Sequence, residues 1–449
     1  MAGGTWLSQN KVRPGAYIRF ISVPRPSMVV GDRGIGTMAI PLTWGAENSL
    51  IDVYSTDLLD GASLSKVGVT AFDEATEQSA KLLTLMLSNC YLAKIYRLDT
   101  GGVRATITTG SLTAKAKYPG TFGNSITIQI VESDGLFTVT TFVAGTSRDA
   151  QTVSSVQELE DNDYVEFSGF GALTANAGIP LTGGTNGTYT AATAYPNYLA
   201  LASRARWQTM AVPFDGTTVN AQIATFAKTM RDDEGRYVQV ALANYDSADF
   251  HGVINSDCGF RRANDEVTAD EATAWVAGAT AGASLVDSNT NKAVTGAISI
   301  LNERTGTEQD DAILSGKFIL TANTDGEITV LTDINSLHTF TPELDRAFSK
   351  NRVLRTLDEI GTTMKSTWER SYMGKVGNND NGRMIFKADL IGYLNQLQNL
   401  PNGGAITNFA GSDDIEVIRG TEIDAVVCNL WVQPVDSMER LYMTVNVQG

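Results

Sequence analysis

Side chains that carry out hydrolytic or metal chemistry are scarce in this sequence. It contains two histidines, His251 and His338, and a Ser-His-Asp or Cys-His site would need one of them beside a nucleophile and an orienting group. Asp246 and Asp249 precede His251 at a spacing that offers three ligands to a metal ion. Because no second cluster of ligands follows, we interpret this stretch as a polar surface loop.

Two further loops resemble ligand-binding motifs only superficially. Residues 31–36 are rich in glycine, but the lysine and the following helix of a phosphate-binding loop are missing, since residues 37–41 read as extended. Residues 376–382 are polar like a calcium loop, yet they lack a glutamate at the closing position. The sequence therefore predicts no catalytic residue, no cofactor and no metal site, and we expect that the protein is not an enzyme.

The charge of the chain limits its partners. Its 34 lysines and arginines face 50 aspartates and glutamates, a net charge of −16, which disfavours nucleic acid as the main partner. Residues 346–387 are the exception, with nine basic and four acidic side chains. We predict that this stretch contacts an acidic surface, including that of another copy of the chain, with Arg352 and Arg355 as contact residues. The alternative is a solvated helix of mixed charge.

The cysteines and the hydropathy indicate the cellular compartment in which the protein is made. Cys90, Cys258 and Cys428 are far apart and odd in number, which favours reduced thiols and argues against a disulfide framework or a zinc site. The first residues of the chain contain no apolar core of a signal peptide. No apolar run approaches the roughly 18 residues that span a membrane. We therefore expect a protein made in a cytoplasm, without membrane insertion.

The elements that surround these residues change in type along the chain, which is long enough for roughly two to four domains. Thr, Ser, Gly and β-branched residues dominate residues 101–187, where residues 126–130 and 137–143 alternate like the two arms of a hairpin. Strands and helices alternate after Tyr195. The sequence predicts an α/β body (α+β overall) with an inserted mainly-β domain and extended N- and C-terminal arms.

The predicted domain boundaries follow these changes in composition. We divide the chain into an N-terminal arm (1–25), a first part of the body (26–100), the inserted β domain (101–187), the α/β body (188–341) and a C-terminal domain with a terminal strand (342–449). Helices are predicted at residues 74–89, 196–206, 219–231, 270–282, 342–375 and 388–400.

Two short strands near the ends of the chain are the predicted assembly segments. The last one has a single apolar face, formed by Leu441, Met443, Val445 and Val447. Such a strand aggregates unless something covers it, so we expect that it adds to a sheet of another copy. The predicted contact residues are Tyr17, Ile18, Phe20 and Ile21 in the N-terminal arm and Leu441, Tyr442, Met443, Val445 and Val447 in the C-terminal arm. Alternatively, the last strand folds back on its own domain.

Four stretches carry a family resemblance through their order and spacing. They are residues 12–18 (VRPGAYI), 37–45 (TMAIPLTWG), 116–124 (AKYPGTFGN) and 432–442 (VQPVDSMERLY). Together they resemble the tail sheath proteins of contractile-tailed phages, particularly the short sheath type of Gram-positive phages and phage-tail-like particles.

The resemblance implies a structural subunit that polymerises with its own copies in stacked six-fold rings around an inner tail tube. It also implies contact with the tube, baseplate and tail terminator proteins, and a contraction that drives the tube through a cell envelope. The location it implies is a virion tail or phage-tail-like particle, assembled in the bacterial host cytoplasm. From the residues alone, two other classes stay open: an α/β hydrolase-like enzyme, and a surface-binding module built on the β domain.

Overall fold

The computed structural model of the chain describes residues 2–4, 15–17, 33–57, 64–69 and 78–447. The α-helices of this part are α1 (Gln78–Leu87), α2 (Ala191–Ala202), α3 (Gly216–Asp232), α4 (Ala269–Gly282), α5 (Gly306–Leu314), α6 (Asn351–Thr367) and α7 (Asp380–Gln398). The strands of the first half are β1 (Ala2–Gly4), β2 (Gly15–Tyr17), β3 (Ile35–Ile40), β4 (Leu50–Tyr54), β5 (Leu92–Arg97), β6 (Thr106–Thr109), β7 (Leu112–Ala116), β8 (Ile126–Ser133), β9 (Leu136–Val143), β10 (Thr146–Val153), β11 (Val165–Gly169) and β12 (Asn176–Pro180). Those of the second half are β13 (Thr209–Ala211), β14 (Gln239–Ala243), β15 (Val253–Asp257), β16 (Phe260–Arg261), β17 (Glu266–Val267), β18 (Ser299–Ile300), β19 (Lys317–Ala322), β20 (Ile328–Val330), β21 (Ile406–Thr407), β22 (Ile415–Arg419), β23 (Val426–Leu430) and β24 (Gln433–Pro434).

An eight-stranded sheet of order β20-β19-β15-β14-β13-β3-β5-β4 forms the centre of the body. Its six inner strands run parallel, and the edge strands β4 and β20 run antiparallel to their neighbours. Parallel strands are covered on both faces and therefore consist of apolar runs. In β3, Met38 and Ile40 face the core that α1 and α4 cover, while Ala39 faces the core that α2 and α3 cover.

Helix α4 packs closely on α1 because its residues are small. A side chain at Gly282 would place its Cβ atom 1.6 Å from the carbonyl oxygen of Asn89, directly after α1. The helix begins with a capping box, in which Thr268 accepts a hydrogen bond from the backbone N–H of Glu271 and the Glu271 carboxylate accepts one from the backbone N–H of Thr268. The predicted helix at 270–282 is confirmed.

The inserted region folds into two sheets, of order β10-β9-β8-β12 and β11-β7-β6. The predicted hairpin is confirmed: β8 pairs antiparallel with β9 across Asp134 and Gly135, which both have positive φ, as a two-residue hairpin turn requires. Side chains of the two sheets share one core, in which Ile126, Ile128 and Ile130 are buried. The predicted fold class, an α/β body with an inserted mainly-β domain, is confirmed.

The C-terminal part consists of α6, α7 and the hairpin β22–β23. Leu390, Tyr393, Leu394 and Leu397 of α7 lie at the centre of its core, and Ile360 of α6 joins them. A buried ion pair connects this part with the body. Arg231 of α3 donates from Nη1 and Nη2 to the two carboxylate oxygens of Asp358 in α6, at 2.8 and 2.5 Å.

Several predicted helix boundaries are wrong. The helix predicted at 342–375 begins only at Asn351, because Asp345 caps a separate 3-10 turn and Lys350 is extended. The helix predicted at 388–400 begins at Asp380, since the Asn379 side chain accepts a hydrogen bond from the backbone N–H of Gly382 and starts the helix inside the predicted polar loop. The helix predicted at 196–206 is α2, whose buried stripe begins with Ala194 and Tyr195.

Candidate functional site

The C-terminal segment is the most exposed apolar part that the structure describes. Residues 441–447, called the terminal segment below, follow the short pairing of β24 with β21 and form no strand within this single chain. Their predicted contact residues (Leu441, Tyr442, Met443, Val445 and Val447) are all at least 72% exposed. In this structure their apolar side chains and backbone hydrogen-bonding groups therefore face solvent.

Glu439 ties the chain to the body immediately before the terminal segment. Its carboxylate accepts hydrogen bonds from Thr290 Oγ1 at 2.7 Å, from Thr332 Oγ1 at 3.3 Å and from Lys350 Nζ, and the side chain is only 15% exposed. Burial alone would raise the pKa of Glu439, but the bonds from Lys350 and Thr290 outweigh it and lower that pKa. The carboxylate of Glu439 thus acts as a charged anchor for the chain, and the exposed apolar terminal segment follows it closely.

The N-terminal contact residues are described only in part. Tyr17 ends β2, which pairs in parallel with β1 near the start of the chain. Ile18, Phe20 and Ile21 lie outside the described residues. The predicted pairing of this strand with another copy stays a prediction.

The two arginines predicted to contact another copy are buried inside the subunit. Arg355 is 1% exposed and donates to the carbonyl oxygens of Ser284 and Asp287, at 3.2 and 2.8 Å, and to the Asp333 carboxylate at 3.3 Å. Arg352 is 7% exposed. The predicted electrostatic contact is corrected accordingly, because a buried guanidinium cannot reach a neighbouring subunit.

Other cations of the same stretch do reach the surface. A cleft of about 660 Å³ lies between α6 and the loops that precede β13 and β14. Six cations line it against three carboxylates: Arg33, Arg204, Arg206, Arg236, Lys365 and Arg370 against Asp358, Glu359 and Glu369. Lys365 donates to the carbonyl oxygen of Glu234 at 2.5 Å and Arg236 to that of Ala205, so the acceptor in each of these bonds is a neutral carbonyl group. We call this surface the basic cleft.

The motif at residues 116–124 joins the β insertion to the body. Trp44 of the body enters the core of the insertion, with its ring centroid 5.3 Å from that of Tyr118 and 5.1 Å from that of Phe122. A Cβ atom at Gly120 would lie 1.8 Å from the carbonyl oxygen of Thr43, so only glycine fits there.

The same motif also holds the exit of the insertion. Asn124 donates to the carbonyl oxygen of Gly184 at 2.9 Å and accepts from its N–H at 2.8 Å. Two antiparallel bridges, Thr100 to Thr188 and Val103 to Thr185, bring the entering and leaving chains together. We call this region the domain junction.

The side chains weighed for metal chemistry have separate partners. Asp246 pairs with Lys317 at 2.8 Å, and Asp249 accepts from the backbone N–H of His338 at 2.8 Å. Burial, with a smaller effect of Arg231, lowers the pKa of His251 to about 4. Over the described ranges, no group of three His, Cys, Asp or Glu side chains is placed to hold a metal ion, and no helix is long and apolar enough to cross a membrane.

Sequence reasoning missed the pairing of Glu439 with Lys350 and the cations that join Lys365 and Arg370 in the basic cleft. Glu439 lies within the motif at residues 432–442, where it is the acidic side chain nearest to the apolar terminal run. This position beside the apolar run was the signal that could have identified Glu439 from the sequence. The basic cleft could not be read from spacing, because Arg236 and Lys365 come from parts of the chain 129 residues apart.

Three family models match the chain. The phage tail sheath protein beta-sandwich domain matches residues 100–186, the central domain residues 184–336 and the C-terminal domain residues 343–448. The phage-like element PBSX protein XkdK of Bacillus subtilis is 32% identical, and the match covers 100% of both chains.

Solved structures agree with these matches. The sheath tail protein of Desulfitobacterium hafniense is 37% identical, with a TM-score of 0.78 over 96% of this chain and 99% of that one. The helical sheath of the anti-feeding prophage in its contracted state shares the fold, with a TM-score of 0.57 over 97% of this chain and 99% of that one, at 11% identity. The family resemblance predicted from the four sequence motifs is confirmed.

Proposed function

The chain belongs to the phage tail sheath protein family, and from that premise we propose that it is the structural subunit of a contractile tail sheath. Copies of the chain stack as six-fold rings around an inner tail tube and move together on contraction, which drives the tube through a cell envelope. The role is structural and not enzymatic. The particle is a virion tail or a phage-tail-like particle, assembled in the host cytoplasm, and its other partners are the tube, baseplate and terminator proteins.

The exposed terminal segment is the observation that carries this proposal. Its backbone groups are unpaired, and its apolar side chains alternate along the chain in a way that suits the edge of a sheet. Addition of this segment as a strand to a sheet of another copy pairs the backbone groups and covers the apolar side chains. Each backbone hydrogen bond contributes about 0.5–1.5 kcal/mol net, so one segment adds only a few kcal/mol. A contact between two different surfaces of the same chain can repeat around a ring or along a helix, and many such contacts hold a polymer.

Truncation after Arg440 tests the proposal and leaves the Glu439 anchor in place. The truncated chain should keep its circular dichroism spectrum and elute as a monomer, and negative-stain microscopy should show no tubes or rings. A chain that ends at Val447 serves as the control and should assemble. If the chain truncated after Arg440 still forms tubes, the terminal segment does not link subunits.

Electrostatic contact through the basic cleft is the second part of the proposal. It moves the predicted contact from Arg352 and Arg355 to exposed cations such as Lys365 and Arg370. The partner is the acidic surface of another copy. Exposed pairs contribute about 0–1 kcal/mol each, so several must act together, and salt weakens them.

Charge reversal tests this contact. The double variant Lys365→Glu/Arg370→Glu should assemble less at low salt than the unchanged chain, and the difference should shrink at high salt. Lys115→Glu/Lys228→Glu is a matched control, because both lysines are exposed and neither lines the basic cleft. Equal sedimentation of the two double variants at every salt concentration would show that the basic cleft is not part of the interface.

A further inference from the structure

The last described residues are tied to the body through one side chain. The N–H of Val435 donates to the carbonyl oxygen of Ala405 at 2.9 Å. Beyond it, the hydrogen bonds that residues 436–447 make with the described residues of the body all end on Glu439. The other bonds of this stretch are local, within residues 436–439. The residues on either side are strongly exposed, with Met438 and Leu441 open to solvent. Among the described residues, the hydrogen-bonded attachment of this stretch is therefore at Glu439.

The receiving site is built from three separated parts of the chain. Thr290 lies after α4, Thr332 after β20 and Lys350 directly before α6. These side chains are themselves held in place: Thr290 Oγ1 accepts from the backbone N–H of Asp333 at 2.9 Å, and Lys350 Nζ donates to Thr332 Oγ1 at 3.3 Å. A bridge between Ile334 and Lys350 fixes the backbone beside them. The carboxylate therefore enters a site whose donors are already positioned.

We propose that Glu439 is a positioning residue for assembly, which fixes the point on the subunit from which the terminal segment leaves. This inference rests on the proposed function, in which that segment pairs with another copy. With the anchor in place, the free chain begins after Arg440. Without it, the free chain begins after Val435 and is 14 residues long instead of 9. The effective concentration of a tethered strand falls roughly as the −3/2 power of the tether length, so this change alone lowers it about two-fold.

Loss of the anchor also means that the direction in which the terminal segment leaves the subunit is no longer fixed. An unanchored segment can pair with sheets in other orientations, including those of neighbours in the wrong ring. We therefore expect that Glu439→Gln raises the concentration needed for assembly at least about two-fold and produces irregular polymers. The fold of the subunit should not change, because the terminal segment contributes nothing to its core.

Trypsin cleavage after Arg440 measures the anchor in the monomer. A protease needs several residues on both sides of the cleaved bond in an extended form, and Glu439 is held against the body. In the Glu439→Gln variant, the peptide of residues 441–449 should be released faster than from the unchanged chain, with the same circular dichroism spectrum. Glu422→Gln is a matched control, since Glu422 is an exposed glutamate of the same domain that lies outside the anchor.

Lys350 gives a second, independent variant. Lys350→Glu alone should behave like Glu439→Gln in both cleavage and assembly. The exchange Lys350→Glu/Glu439→Lys should restore normal assembly, because it restores the pair with reversed charges; assembly is its readout, since Glu439→Lys adds a trypsin site next to Arg440. Failure of the exchange to restore assembly would argue against the anchor as a charged pair.

The outcomes separate this inference from the proposed function. Faster cleavage of Glu439→Gln with unchanged assembly would mean that the anchor exists but positions nothing, and the inference would be wrong. Unchanged cleavage would refute it directly. Assembly of the chain truncated after Arg440 would instead refute the role of the terminal segment itself, whatever the behaviour of the Glu439 variant.

Discussion

Replacement of Asp358 by asparagine should loosen the C-terminal part from the body. Asp358 receives both terminal nitrogens of Arg231, and the two side chains are only 9% and 4% exposed. Asp358→Asn keeps the size of the side chain and removes its charge. Arg231 then remains buried without its paired carboxylate, although it still donates to the carbonyl oxygen of Val238 at 3.0 Å and keeps the weaker effect of Asp232.

The magnitude follows from the burial of this pair. Removal of one partner of a buried ion pair costs about 3–5 kcal/mol, because the other charge stays desolvated. Replacement of both partners by apolar residues of similar size is often close to neutral. In Arg231→Met/Asp358→Leu the carbonyl oxygen of Val238 loses its donor, at a cost of about 1–3 kcal/mol. We therefore expect that the double variant is more stable than Asp358→Asn.

Hydrogen exchange of α6 is the suitable measurement, since a chain of several domains does not unfold in one step. A loss of about 3–5 kcal/mol should accelerate exchange in α6 peptides by about two to four powers of ten, at about 1.4 kcal/mol per power of ten. Asp380→Asn is the matched control, because the pair of Asp380 with Arg383 is exposed and should change exchange by less than about ten-fold. The reasoning fails if Asp358→Asn stays within ten-fold of the unchanged chain, or if the double variant exchanges as fast as the single one.

Two further predictions concern His251 and the β insertion. Burial lowers the pKa of His251 to about 4. On acidification the unfolded chain therefore binds a proton on this side chain before the folded chain does. The free energy of unfolding should fall from about pH 6.5 towards pH 4, by about 2 kcal/mol at pH 5. Hydrogen exchange of peptides around His251 at pH 7 and pH 5, corrected for the intrinsic exchange rates, should show a smaller loss of protection in His251→Asn than in the unchanged chain. An equal loss in both chains would contradict this. We propose that residues 101–187 fold as a separate domain. Their replacement by a short Gly/Ser bridge, together with Trp44→Gln on the surface that this uncovers, should leave a soluble body that still forms tubes. Insoluble protein in gel filtration would show instead that the region belongs to the central core.

The elements that could be predicted are those whose causes are local in sequence. The helix that follows Thr268 was predictable because its capping box lies within four residues, and the β8–β9 hairpin because its turn and its alternation are adjacent. The start of α6 was not, because Lys350 is extended and its side chain bonds to Glu439, 89 residues further along the chain. Boundaries set by distant contacts leave no local signal.

The predicted site differed from the structure for the same reason. Arg352 and Arg355 looked like surface charges because the stretch around them is basic, whereas Arg355 is satisfied by Asp333 and by carbonyl oxygens before it in the chain. The alternation of residues 441–447 marked the terminal segment in the sequence, and the structure leaves its side chains exposed, whereas its pairing with another copy stays a prediction. Charge counts along a sequence do not separate buried cations from exposed ones.

The domain junction should allow the two sheets of the β insertion to be exchanged for another domain. The entering and leaving chains are hydrogen-bonded to each other at Thr100 and Thr188, so a foreign domain whose own ends lie as close together needs no linker to bridge a gap. Among the described residues, Trp44 is the one large body side chain in the shared core, and a grafted domain must offer an apolar patch over it. In the polymer proposed above, such chimeras would display one copy of the grafted domain per subunit.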